Sequence, residues 1–150
     1  MGTKFNGSTD EKLALDCFIK LFRASEVVKN NSTRIVNEKG FSDGQFFVLD
    51  VLYHLGSMSQ KLLSEKIMRT EGNLTMIISN LLKRKLIKRI RSKDDGRVFI
   101  ISITQKGKSE YEKTFPFFLE AVKNDFSVLT KEEKIFLQDI CKKLGTAKSG

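Results

Sequence analysis

The sequence predicts a mainly α-helical protein carrying one small β-hairpin, and three observations lead there. Apolar residues recur at three- and four-residue steps along most of the chain, the spacing that gathers them on one face of a helix. Two short β-branched runs, 87–91 and 98–103, break that rhythm and flank a charged tip at Asp94-Asp95-Gly96-Arg97, which contains the Asp-Gly pair that closes hairpins. At 150 residues, 40% hydrophobic and 30% charged, the chain suits a single globular domain with a real core.

The elements follow in order. A first helix spans about 8–38, with Leu13, Cys17, Leu21, Ala24 and Val28 on one stripe. Asn30, Asn31 and Ser32 predict a kink or an early end in it, because short polar side chains compete for the helix backbone. Gly40 interrupts the chain, and Ser42 is placed to cap a second helix that carries Phe46, Leu49, Leu52 and Tyr53 and stops at Gly56. A short third helix starts at Ser59 and is expected to bury Leu62, Leu63 and Ile67. The fourth, about 70–85, has Leu74, Ile77, Ile78, Leu81 and Leu82 on a single stripe. After the hairpin, Thr104 caps a long fifth helix through Tyr111, Phe115, Phe118, Leu119, Val122 and Phe126. Pro116, the only proline, predicts a kink there because it lacks a backbone donor. Thr130-Lys131-Glu132-Glu133 is a capping-box pattern opening the last helix, whose stripe is Phe136, Leu137, Ile140, Cys141 and Leu144.

Charge is uneven along this framework. The net charge is +9, yet residues 57–97 hold 11 Lys/Arg against 4 Asp/Glu, leaving 16 against 14 elsewhere. A basic footprint confined to one segment is what a phosphate-binding face looks like, although a solvated lysine-rich surface gives the same count. Four helices, a hairpin and two more helices, with a basic helix leading into the hairpin, is the arrangement of a winged helix-turn-helix. An arginine raised on the hairpin tip suits a grip on two adjacent DNA grooves.

The candidate contacts sort by chemistry. On the fourth helix, Thr70, Glu71, Gly72, Asn73, Thr75, Met76, Ser79 and Asn80 face away from the apolar stripe. Small polar groups approach base edges in a major groove, and Asn pairs with adenine through two bonds; Thr70 and Asn73 serve equally well as an ordinary helix start. Ser59, Lys61, Arg69, Lys83 and Arg84 lie near helix ends, and Arg89 and Arg91 line the approach to the hairpin, all candidate phosphate contacts. In the wing, Arg97 beside Gly96 is placed to enter a minor groove, with Asp95 two residues away to hold its guanidinium. A surface ion pair that merely closes the hairpin is the plainer reading of Asp95 and Arg97.

Asp95-Gly96-Arg97, then Ile101-Ser102-Ile103-Thr104 and Gly107, resembles the wing signature of the MarR family of bacterial regulators. Upstream, Gln60-Lys61, Leu63-Ser64-Glu65-Lys66-Ile67, Gly72-Asn73-Leu74-Thr75 and Leu81-Leu82-Lys83-Arg84-Lys85-Leu86-Ile87 are similar to the family's helix-turn-helix. Gln45-Phe46, Val48-Leu49 and Leu52-Tyr53-His54-Leu55-Gly56 match the preceding helix, and Leu129-Thr130 with Glu132-Glu133 matches the start of the last. The likeness runs from about residue 13 to 145. It implies a homodimeric winged helix that binds a pseudo-palindromic double-stranded operator and commonly represses transcription until a small effector or oxidation releases it. The expected division is a DNA-binding lobe at about 42–104 and dimerisation helices at about 8–38 and 105–145. The terminal helices are apolar enough to fold back or to meet a second copy, and a DNA-reading module usually works as a symmetric pair. Gly96 departs from the family in standing where many relatives carry a second arginine, and Lys85-Leu86 in occupying a spot where glycine is usual.

Other chemistries are poorly supplied. The two cysteines, Cys17 and Cys141, cannot make a disulfide framework. Cys17 is a possible redox site, but its place on the apolar stripe predicts inert packing. His54 is the only histidine, so no metal or other cofactor is expected. Gly107-Lys108-Ser109 is similar to the end of a phosphate-binding loop, yet Ser102 stands where that loop needs glycine, and catalysis is not expected. The apolar runs fall short of the roughly 20 residues of a membrane span. The N-terminal MGTKFNGSTDEK lacks a signal-peptide core, so a cytoplasmic location without a membrane partner is expected. The alternative function is a winged helix for protein or RNA contacts without operator specificity.

Overall fold

The computed structural model describes residues 2–147, apart from the side chain of Glu71, which lies outside the described set. The elements run α1 (Thr9–Glu38), α2 (Asp43–Leu55), β1 (Met58–Ser59), α3 (Gln60–Ile67), α4 (Glu71–Lys83), β2 (Ile87–Arg91), β3 (Phe99–Ile103), α5 (Gln105–Asp125) and α6 (Lys131–Thr146). Each helix opens on a serine or threonine whose hydroxyl accepts an amide from the first turn: Ser8, Ser42, Ser59, Thr70, Thr104 and Thr130. Such caps contribute about 1 kcal/mol each by satisfying a donor the helix cannot. At Ser8, Ser42 and Thr130 the cap is reciprocal, with Glu11, Gln45 and Glu133 reaching back.

The expected interruption near Asn30 does not occur, and α1 is continuous for 30 residues. The polar side chains there are satisfied without opening the helix. Ser32 Oγ donates to the Lys29 carbonyl, and Asn31 Nδ2 donates to Asp125 Oδ1 of α5 at 2.7 Å. Pro116 lies inside α5, which continues through it to Asp125.

The strands form one antiparallel sheet in the order β1-β3-β2. Ile87 pairs with Ile103 and Arg91 with Phe99, while Met58 and Ser59 add a third edge opposite Ile101 and Ile100. That third strand is two residues long, too short to leave an alternating signal in sequence. β3 begins one residue later than the run at Val98 suggests.

The core sits beneath the helix-turn-helix. Phe41, Phe46, Leu49, Leu52, Leu63, Leu74, Ile78, Leu81, Leu86, Ile101 and Tyr111 are all fully buried. Leu62, expected inside, is 41% exposed; the buried position next to Leu63 is Ser64, whose hydroxyl donates to the Lys61 carbonyl. Leu119 is likewise exposed on α5.

Two junctions fix how the sheet meets the helices. Lys85 takes a left-handed φ of 59° between α4 and β2, a conformation that favours glycine. Just beyond, a Cβ on Gly107 would lie 2.1 Å from the Leu86 carbonyl oxygen, so α5 crosses the chain at a distance only glycine permits. Thr104 seals this crossing, its hydroxyl donating to the Lys85 carbonyl and its amide to that of Leu86.

The ends of the chain differ. α6 has no buried residue, and Leu13, Phe18, Leu21 and Phe22 of α1 are exposed. Cys17 and Cys141, expected as packing residues, are both exposed free thiols, because neither helix finds a partner for that face within its own chain. Among the described residues no helix is long and apolar enough to cross a membrane.

Candidate nucleic-acid interface

The exposed face of α4 follows from its buried one. With Leu74, Ile77, Ile78 and Leu81 turned inward, Gly72, Asn73, Thr75, Met76, Ser79 and Asn80 face solvent. Met76 is 69% exposed, and a Cβ on Gly72 would meet nothing within 4 Å, so the first turns are open to a flat partner. Thr70 is the cap, its Oγ1 accepting from the Asn73 amide at 3.3 Å. Gln60 Nε2 donates to Thr75 Oγ1 at 3.4 Å, tying the start of α3 to α4.

Beside this face stands the hairpin. Its tip is closed by Ser92 N donating to the Val98 carbonyl and Val98 N donating to that of Asp95. Asp95 holds Arg97 three times over: Nε to Oδ1 at 3.1 Å, Nη2 to Oδ2 at 3.3 Å, and the Arg97 amide to Oδ1 at 3.0 Å. The guanidinium keeps the Asp95 carboxyl below its usual range, with the Arg97 amide adding to the effect. Since the Arg97 side chain is 92% exposed, the pair adds little to stability. Its effect is to aim the arginine. Arg91 braces the same tip, Nη1 donating to the Gly96 carbonyl at 3.1 Å.

Between helix face and hairpin lies a groove of about 490 Å³. Ser59, Gln60 and Lys61 form its α3 wall, Thr75 its α4 wall, and Arg89, Arg97, Val98 and Phe99 its hairpin wall. Ser59 is also the α3 cap, accepting from the Leu62 amide. Three cations converge here, and no carboxylate is among the lining residues.

Not all the sequence-predicted basic residues reach this place. Arg69 is paired with Asp43, Nη2 to Oδ2 at 2.8 Å, and its side chain is mostly covered. Arg84 donates to the Gly40 carbonyl at 2.8 Å and to Gln45 Oε1, with its guanidinium 4.5 Å from the centre of the Phe41 ring. Both therefore fasten α2 to its neighbours and lie outside the groove. Lys83 is exposed at the end of α4. Gln60, Val98 and Phe99 line the groove without being among the contacts named from the sequence. Alternation along a strand, which puts Arg89 and Arg91 on one face, is the signal that points towards Phe99.

Among the described residues no group of three His, Cys, Asp or Glu side chains is placed to hold a metal. His54 instead contacts the Tyr111 hydroxyl at 3.0 Å, and that hydroxyl donates to Asp50. Burial and the Asp50 hydrogen bond push the Tyr111 phenol well above its ordinary range, so it stays protonated.

A helix-turn-helix backed by a three-stranded sheet, with the hairpin standing beside its second helix, defines a winged-helix protein. The profile of the family Transcriptional regulator SarA/Rot matches residues 31–114, more than half of the chain, and the chain belongs to that family. It is thus a transcriptional regulator and not an enzyme. The chain is 29% identical over 132 residues to the HTH-type transcriptional regulator MhqR of Bacillus subtilis, covering 88% of this chain and 91% of that one. Two MarR family regulators from Streptomyces coelicolor share the fold. AbsC superposes with a TM-score of 0.85 at 16% identity, over 95% of this chain and 97% of its own. Sco3205, solved in complex with DNA, gives 0.85 at 18% identity, over 96% and 91%.

Proposed function

We infer that the protein is a homodimeric, sequence-specific regulator of the cytoplasm that binds a pseudo-palindromic double-stranded operator and represses transcription from it. The observation that carries this reading is the groove between α3, α4 and the hairpin, where Lys61, Arg89 and Arg97 converge and the carboxylate bonded to Arg97, that of Asp95, stands outside the lining. A phosphate is the natural complement of such a site. The DNA complex of Sco3205 supports the same reading by likeness of fold.

In this assignment the DNA-binding lobe covers about 42–104, and the helices at about 8–38 and 105–145 join two copies. The open face of α4, with Thr70, Gly72, Asn73, Thr75, Met76, Ser79 and Asn80, enters a major groove. The two copies' helices lie about 10 base pairs apart. Ser59, Lys61, Lys83, Arg89 and Arg91 contact phosphates, and Arg97, aimed by Asp95 over Gly96, reaches a minor groove. Arg69 and Arg84 serve by holding α2 in place. Release by a small effector, or by oxidation at the exposed Cys17, belongs to the same reading.

The test is selection of bound genomic fragments followed by mobility shifts. Enrichment of inverted repeats is expected, with Arg97→Ala weakening binding about tenfold or more while the circular dichroism spectrum is unchanged. Unchanged operator affinity at moderate salt removes the wing from the interface. Equal binding to RNA or to unrelated duplexes favours the interaction-module alternative.

A further inference from the structure

The hairpin holds a second arrangement of arginines, built on a ring. Arg89 and Arg91 are two residues apart on β2 and therefore share a face of the sheet. Phe99 pairs with Arg91 across the ladder. Both guanidinium carbons lie over its ring, Arg89 at 4.6 Å and Arg91 at 5.4 Å from the centroid. Among the described residues neither arginine has a carboxylate within ion-pair distance; of the two acids in the turn, Asp95 is engaged with Arg97.

Gathering two positive groups on one apolar ring, with no acid between them, is unfavourable until an anion joins them. It also restricts two long side chains that otherwise lose rotamer freedom on binding. Arginine is suited to this, since its flat guanidinium stacks on an aromatic face with several N–H groups left at its edge; Arg91 commits one of them, Nη1, to the Gly96 carbonyl. We propose that Phe99 is a positioning residue for nucleic-acid binding: its ring presents Arg89 and Arg91 as a preformed clamp for one backbone phosphate. In this role Phe99 acts through the arginines, so it sets affinity without reading sequence. The assignment rests on the DNA-binding reading above and adds to it a role for an aromatic residue.

The experiment measures binding of the full chain to a selected duplex by fluorescence anisotropy across a salt series. Phe99→Leu, which keeps an apolar strand residue but loses the ring, is expected to weaken binding about fivefold on matched and mismatched duplexes alike. The salt slope is expected to become shallower by up to about one released ion. Phe99→Tyr, which keeps the ring face, restores wild-type behaviour. On an Arg89→Ala, Arg91→Ala background Phe99→Leu has no further effect, a dependence that loss of general packing does not produce. Full additivity on that background, or wild-type binding by Phe99→Leu, overturns the clamp while leaving the DNA-binding reading intact. A wild-type chain that ignores the duplex overturns both. Should Phe99→Leu fail to fold, Arg89→Lys with Arg91→Lys decides the matter. It keeps both charges but not the flat stacking, and wild-type binding by that variant overturns the proposal.

Discussion

Between Phe41 and Tyr111 most of the helix stripes turn inside, and that of α4 is covered along its length from Leu74 to Leu81. In α6 the same three- and four-residue spacing produces an equally clear stripe, yet nothing on it is buried, and Phe136 is 67% exposed. The N-terminal half of α1 behaves like α6. Periodicity therefore reports which face of a helix is apolar, not what that face meets. The lobe's stripes are answered within the chain. Those of the terminal helices are not, and exposed apolar faces of this extent mark interaction surfaces.

Three changes break or sharpen that contrast. The largest effect is expected from ending the chain at Leu129: if the proposed dimer forms through the terminal helices, removal of α6 abolishes it while the lobe stays folded. Solution scattering checks this, and a stable truncated dimer places the subunit interface elsewhere. Next is Leu49→Ala, which removes a fully buried side chain beneath the helix-turn-helix and is expected to cost about 2–5 kcal/mol in urea unfolding. A cost below about 1 kcal/mol means that the lobe is not the seat of stability. The smallest change has the opposite sign. Lys85 holds a left-handed backbone that costs a side-chain-bearing residue about 1–2 kcal/mol, against about 0.5–1 kcal/mol of extra chain entropy for glycine. Lys85→Gly is therefore expected to stabilise by about 0.5 kcal/mol, raising Tm by about 1–2 °C. A lower Tm assigns the lysine side chain a structural task.

Much of this was legible in the residues. The six helix starts were written as Ser or Thr, the α4 stripe was unambiguous, and Asp95 beside Arg97 forecast the clasp at the tip. What escaped depended on partners distant in sequence. Asn31 looked like a helix breaker because its partner, Asp125, lies 94 residues away. The partners of Arg69 and Arg84 were equally hidden, because Asp43, Gly40 and Phe41 are brought to them only by folding. Leu62 was expected inside but is exposed, because the short α3 buries only the narrow face that carries Leu63 and Ser64. Phe99 read as one more strand residue until the ladder register set it against Arg91.

Ser59 occupies three structures at once: it pairs with Ile100 in the sheet, caps α3, and walls the groove. Through such a residue the base of the hairpin is tied to α3, so a tilt of β3 at this pairing pulls on the cap of the helix behind it. Thr104 does the same at the opposite corner, fastening the hairpin's exit to the end of α4. The base of the hairpin is thus set by the helices at both corners, like a rudder on a fixed stock. How well the molecule meets a duplex is then a question of the angle at which this blade is presented, not of any loosening within it.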